Sequence, residues 1–229
     1  SATVGGIDTN FDYESWYVGA GSTGNIGDRL LYGVELVYQG GETLSDPIVV
    51  QPQTKDDIQA FAGDFKLDFL VSDANKSRFT VEVLVATGDD DRSLHTTNTF
   101  GGNAPGTDDH SFNAFGLINT GLAFSPNVSN LILLRGGAST FPLPNSEWFK
   151  QLQVGTNLFV FNKFDDDAPI DELTSDQTYL GFESDCYANW QITSDLSLGI
   201  RYGVFFPGQA ITTDKDPRHF FFTSITYAY

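Results

Sequence analysis

Methionine is absent from this 229-residue chain, and cysteine occurs once, as Cys186. One thiol cannot cross-link its own chain, and no Cys/His spacing suits zinc or an iron–sulfur cluster. A chain without a starting Met reads as processed, which fits removal of a secretory signal. No stretch approaches the roughly 18 consecutive apolar residues of a transmembrane helix, so a helical membrane protein is excluded. Positive charge is scarce: Lys+Arg number 12 against Asp+Glu 30, for a net charge of -18 and a sequence pI near 4.2. Phosphate backbones would be repelled, so no nucleic-acid partner is expected. Catalytic signatures are missing as well. His95, His110 and His219 are scattered, and there is no G-x-S-x-G elbow, H-E-x-x-H pair or phosphate loop. His110 lies between Asp109 and Ser111, but adjacency along the chain does not make a triad, and no enzyme activity is expected.

Period-2 alternation is abundant. Across 195–206, Leu196, Leu198, Ile200, Tyr202, Val204 and Phe206 form an apolar face; Ser197, Gly199, Arg201 and Gly203 oppose it, with Phe205 the single lapse. The final stretch "RHFFFTSITYAY" sets Phe221, Thr223, Ile225, Tyr227 and Tyr229 against Phe222, Ser224, Thr226 and Ala228. Similar segments at 11–21, 29–39, 57–70, 77–87, 130–140, 150–163 and 178–192 bring the expected strands to nine. A soluble sandwich buries the apolar face in a shared core; a membrane barrel turns it to lipid. Length separates them, because a tilted strand needs about 9 to 11 residues to cross a bilayer while soluble strands average about 5 to 6. These segments are of the longer kind.

Connection lengths alternate in the same sense. The links 22–28, 72–76, 141–148 and 193–194 are short or moderate, whereas 40–56, 88–128, 164–178 and 207–217 are long. Short turns on the periplasmic side and long loops outside are the barrel layout. The expected fold is therefore all-β, an antiparallel transmembrane β-barrel of outer-membrane type forming a single domain over 1–229, with a long outer loop at 88–128. The odd strand count predicts either a further strand from Ser111 to Phe124 or that the chain is the C-terminal part of a larger barrel, completed by an additional chain or an oligomer.

The runs "SNLILLRGGASTFPLP", "YLGFESDCYANWQITSDLSLGIRYGVFFPGQA" and "VLVATGDDDRS" resemble the C-terminal region of alginate-export-like bacterial outer-membrane porins over Ser77 to Tyr229. The resemblance implies a monomeric outer-membrane barrel that passes solutes or exports a polysaccharide. An alginate exporter would be expected to offer a positive constriction; here the inward candidates are mostly acidic.

Those candidates are the charges confined to the polar faces: Glu35, Asp64, Lys66, Asp68, Arg78, Glu82, Glu183, Asp185 and Arg201. A lipid-facing Lys or Arg costs about 2 to 4 kcal/mol at mid-membrane, which explains the confinement. They read as the lining of an acidic, cation-preferring pore for small solutes, or as ladders of paired charge filling the lumen. Acid clusters at Asp89, Asp90 and Asp91, and at Asp165, Asp166 and Asp167, fall on outer loops. They are weak Ca²⁺ candidates, since no twelve-residue calcium loop is present; solvated loop charge and divalent bridging to lipopolysaccharide are the other readings. No further cofactor is expected. Cys186 lies on an apolar face and reads as a small buried hydrophobe. Other functions compatible with the pattern are an envelope assembly barrel anchoring partner proteins through its outer loops, and a secreted β-sandwich binding carbohydrate through Trp16, Trp148 or Trp190. Localisation in the bacterial outer membrane, surrounded by lipid, follows from the barrel reading.

Overall fold

The computed structural model describes residues 2–4, 7–10, 12–46, 52–92, 102–114 and 118–228. Two short strands, β1 (Ala2–Val4) and β2 (Ile7–Thr9), pair only with each other. The remaining strands are β3 (Tyr13–Ile26), β4 (Leu30–Leu44), β5 (Lys55–Leu70), β6 (Arg78–Ala86), β7 (Leu131–Thr140), β8 (Leu152–Asn162), β9 (Tyr179–Gln191), β10 (Leu196–Pro207) and β11 (Arg218–Tyr227). They form one nine-stranded antiparallel meander in strict chain order. No helix occurs among the described residues.

Alternation fixes which side each residue takes. The outward rows, such as Phe61, Phe65 and Phe69 on β5 and Phe221, Ile225 and Tyr227 on β11, stay exposed. No second sheet covers them among the described residues, so the β-sandwich alternative fails. Apolar rows left in water forfeit about 25 cal/mol for each Å²; lipid removes that cost. Cys186 falls on this outward face and is exposed rather than buried, because strand parity places it opposite the inward Asp185 and Tyr187.

Several boundaries differ from expectation. β3 continues to Ile26, and the chain reverses over 27–29, where Gly27 takes a φ of 66° that favours glycine. β4 and β5 extend to Leu44 and Lys55, so their link shrinks to 45–54. The links at 27–29, 71–77, 141–151 and 192–195 share one end of the sheet, and those at 45–54, 87–130, 163–178 and 208–217 share the other. Ser111 to Phe124 adds no strand among its described residues. Ser111, Phe112 and Thr120 are instead buried there, and Phe124 packs against an apolar cluster.

The sheet has two free edges, β3 and β11. At its long-loop end, the inward face carries an apolar cluster that includes Leu133, Phe159, Phe161, Leu180, Phe205 and Ile211, with Phe124 and Val128 of the long loop against it. Leu180 reaches this cluster through a register shift beside Phe161 and Asn162. Gly181 there has φ 148°, and a Cβ on it would lie 2.5 Å from the Phe205 ring. Strict alternation would send Leu180 outward; the irregularity turns it in.

Candidate functional site

Strand register assembles the inward charges into rungs. One rung crosses the sheet as Lys66, Glu82, Arg135, Phe159, Glu183 and Phe205. The next carries Asp68, Thr80, Asn157 and Asp185, and a third carries Arg78, Ser139, Tyr187 and Arg201. Glu35 and Asp64 pair directly in a fourth. All nine expected lining residues thus share the inward face. Arg135 belongs with them and was not legible, because β7 is apolar on both faces around it: Leu131 and Leu133 point in while Leu134 points out.

Three of the six acids expected to line this face are engaged, while Asp64 Oδ1 and Asp185 Oδ1 are buried without a hydrogen-bond partner. Arg135 Nη2 meets Glu82 Oε2 at 2.6 Å, with both side chains under a tenth exposed. Asp68 pairs with Arg78 Nη2 and accepts the Thr80 hydroxyl at 2.5 Å. Glu183, fully buried, accepts the backbone N–H groups of Leu122 at 2.5 Å, Ala123 at 2.8 Å and Phe124 at 2.8 Å. A buried carboxylate meeting several amide donors has its charge satisfied without a cation.

Those three amides belong to the long loop, which folds back over the inward face. The Phe124 ring stacks on Phe205 and meets Phe161 edge-on. The other half of the loop is fixed on β3 and β4: the Tyr17 hydroxyl donates to the Asn113 carbonyl at 2.7 Å, and the Asn113 N–H donates to Gln39 Oε1 at 2.8 Å. A buried Arg92–Asp109 pair at 2.5 Å holds the loop base. Nothing in the sequence pattern signals this inward fold beyond the apolar lapse at Phe205.

Two cavities remain under the loop. The larger, about 310 Å³, is walled by Lys66, Arg78, Arg135 and Arg201, with Asp185 the only acid among the described residues lining it, and by amides including Asn119, Gln153 and Asn157. Arg201 is exposed and the Arg78 side chain is 41% accessible. The smaller, about 210 Å³, joins Glu35 and Asp64 to Val37, Phe112 and Ile118.

The acid clusters on the outer loops fare differently. Carboxylate oxygens of Asp89, Asp90 and Asp91 lie within 4.8 Å of one another. Burial pushes the Asp89 carboxyl above the usual range, while the His110 and Asp91 N–H groups it accepts pull the other way. Asp165, Asp166 and Asp167 instead surround Lys163, whose buried ammonium donates to the carbonyls of Asp166 and of Ser175, the latter at 2.8 Å. Burial lowers the Lys163 pKa, and the neighbouring aspartates raise it. A cation of the protein's own therefore already occupies that carbonyl cage.

No hydrolytic constellation forms at His110. Asp109 is committed to Arg92 and to the Ser111 N–H, and His110 is exposed. His95 lies outside the described residues. The exposed Trp16 lies on the lipid-facing side, ring against Tyr38. At the short-turn end Trp190 Nε1 donates to the Trp148 carbonyl at 3.0 Å and its ring stacks on Phe149, an aromatic group suited to a membrane–water boundary.

A family model described as alginate export matches residues 6–221. Among solved structures, a NanC porin in a rhombohedral crystal form aligns with a TM-score of 0.40 at 8% identity, covering 94% of each chain. No curated protein matches the sequence.

Proposed function

The chain belongs to the alginate-export family and is a porin-like channel of the bacterial outer membrane, and on that footing we propose that it passes small anionic solutes, acidic saccharides above all. The observation that carries this is the cavity of about 310 Å³ walled by Lys66, Arg78, Arg135 and Arg201. Composition alone favoured cations. Against that preference, Asp68, Glu82 and Glu183 are held by Arg78, Arg135 and loop amides, which leaves Lys66 and the exposed Arg201 as the cavity cations outside these pairs. Guanidinium groups suit carboxylates because their planar fork matches two oxygens.

Outer-membrane lipid covers the outward rows in this reading, and the free edges need partners too. Unpaired backbone N–H and C=O groups cannot face hydrocarbon. β3 and β11 both run from the long-loop end to the short-turn end, so antiparallel closure takes an odd number of further strands. This supports an additional segment or chain completing the barrel, and an intact-mass measurement on the particle extracted from outer membranes checks it.

The functional test is a planar-bilayer recording across a KCl gradient. A reversal potential showing anion preference, weakened in Arg201→Gln and Lys66→Gln, is expected. Cation preference would overturn the anionic reading, and absence of any conductance would overturn the channel.

A further inference from the structure

Charge is distributed unevenly along the pore axis, and this asymmetry has a consequence for transport that rests on the channel reading above. The long-loop end carries exposed Asp90, Asp91, Asp166, Asp167, Asp214 and Asp216. Its described cations are engaged: Lys55 pairs with Glu42, Arg92 with Asp109 and Arg218 with Glu172, Lys163 is buried in carbonyls, and Lys215 Nζ donates to the Gly208 carbonyl at 2.7 Å. Residues 47–51, 93–101 and 115–117, outside the described residues, contain no Asp, Glu, Lys or Arg. The basic cavity lies toward the opposite end, with Arg78 opening β6 beside the short turn 71–77.

The apolar cluster of Phe124, Phe161 and Phe205 stands between the acidic mouth and the Arg78–Arg201 rung of the cavity, level with Lys66 and Arg135. On β6, Arg78 lies eight residues and the Lys66–Glu82–Arg135 rung four residues from Ala86 at the long-loop end, so at about 3.3 Å per residue the zones are separated by roughly 13 to 25 Å along the strand. The Debye length is about 10 Å at 0.1 M salt. Each zone therefore keeps its own mobile counter-ions, cations at the acidic mouth and anions in the basic cavity.

We propose that this polarity makes the channel a rectifier, conducting better when the long-loop side is positive, the sense that drives anions outward through the acidic mouth. Under that polarity, anions leaving the cavity and cations entering from the mouth converge on the apolar junction, and carriers accumulate there. Under the opposite polarity both are drawn away, and the junction is depleted. A passive pore so charged gives no net flux at equilibrium, but it discharges anions outward more readily than it admits them.

The experiment is a single-channel current–voltage curve on the assembly purified from outer membranes, with orientation fixed by a biotin tag in the 208–217 loop and streptavidin on one side. In symmetric 0.1 M KCl the current with the long-loop side positive should exceed the reverse current about two-fold, and the ratio should approach one at 1 M KCl, where the Debye length is about 3 Å. Asp166→Asn/Asp167→Asn/Asp214→Asn/Asp216→Asn should conduct with a ratio near one, its heat-modifiable gel band showing that it folds. A linear curve from the unmodified channel, or rectification of the opposite sense, overturns the proposal while leaving the channel reading intact. Absence of conductance overturns that reading as well.

Discussion

Phe124 of the long loop lies flat against Phe205 of β10, ring centroids 4.3 Å apart and planes inclined by 4°. Phe161 meets the same Phe124 ring edge-on at 5.2 Å. Aromatic pairs in such arrangements contribute about 0.5–1.5 kcal/mol beyond the area they bury. The contact converts a connection between β6 and β7 into part of the lumen wall. Just beyond it, Glu183 gathers the three amides of Leu122, Ala123 and Phe124, so packing and hydrogen bonding hold the same short segment.

Glu183→Ala should free this segment. Hydrogen bonds to a charged group contribute about 1.5–3 kcal/mol each, and here three amides lose one acceptor residue. The expected outcome is faster chymotryptic cleavage near Phe124 and a several-fold larger single-channel current. Gly121→Ala should act in the same direction, because its φ is 98° and a Cβ would fall 2.7 Å from Glu183 Oε1. Unchanged cleavage and current in both variants would show that the loop is held elsewhere.

The Arg135–Glu82 pair allows a double-mutant cycle. Removing one partner of a buried ion pair costs about 3–5 kcal/mol, whereas replacing both with apolar groups is often neutral. Arg135→Leu alone should therefore shift urea unfolding of the vesicle-inserted protein strongly downward, and Arg135→Leu/Glu82→Leu should recover most of the loss. Equal losses in the single and double variants would mean that the pair contributes nothing specific.

Strand existence and facing were legible in the sequence because a side chain facing lipid and one facing the lumen differ in chemistry at every second residue. Phe61, Phe65 and Phe69 against Asp64, Lys66 and Asp68 is such a signal, and β5 follows it. What the pattern could not carry is contact between segments distant along the chain. Phe205 read as a lapse among small and polar residues; it is the landing site of Phe124. For Glu183 and Asp68 the sequence leaves open pore lining or paired ladders, and the partners themselves, loop amides and Arg78, are set by register and loop path alone. Arg135 escaped because its flanking leucines fill both faces, one set against the apolar cluster and the other toward lipid.

Gly181 permits a test of the irregularity in β9. Its φ is 148°, and a Cβ at this position would approach both the Phe205 ring and the Phe206 carbonyl to 2.5 Å, which leaves no room for a side chain. Strained backbone of this kind costs about 1–3 kcal/mol for a residue other than glycine. Gly181→Val should lower the unfolding free energy by that amount or more, since relieving the clash returns Leu180 to the outward face. Leu180→Ala, which leaves a cavity, should cost about 2–5 kcal/mol. A Gly181→Val protein as stable as the parent would remove the assigned role of the register shift.

Glu172 and Arg218 tie the 163–178 loop to the start of β11 and make that tie sensitive to acid. Arg218 Nη1 donates to Glu172 Oε2 at 2.8 Å, its other nitrogen reaches Oε1, and the Thr213 hydroxyl donates to the same carboxylate. Burial alone would raise the Glu172 pKa; the hydrogen bonds from Arg218 and Thr213 and the arginine charge outweigh it, and the net shift is downward from 4.5. A carboxyl whose folded pKa is depressed adds stability that is fully present above its unfolded pKa and is lost as pH falls through the folded value. Loop release is therefore expected below about pH 4.5, near the ordinary glutamate value, read as growing exposure of a fluorophore placed at Ser175→Cys in a Cys186→Ser background. Glu172→Gln should show a looser loop at neutral pH and a flatter response to acid, because its amide cannot titrate. Identical acid profiles for the parent and Glu172→Gln would assign the sensitivity to other carboxylates of the same rim.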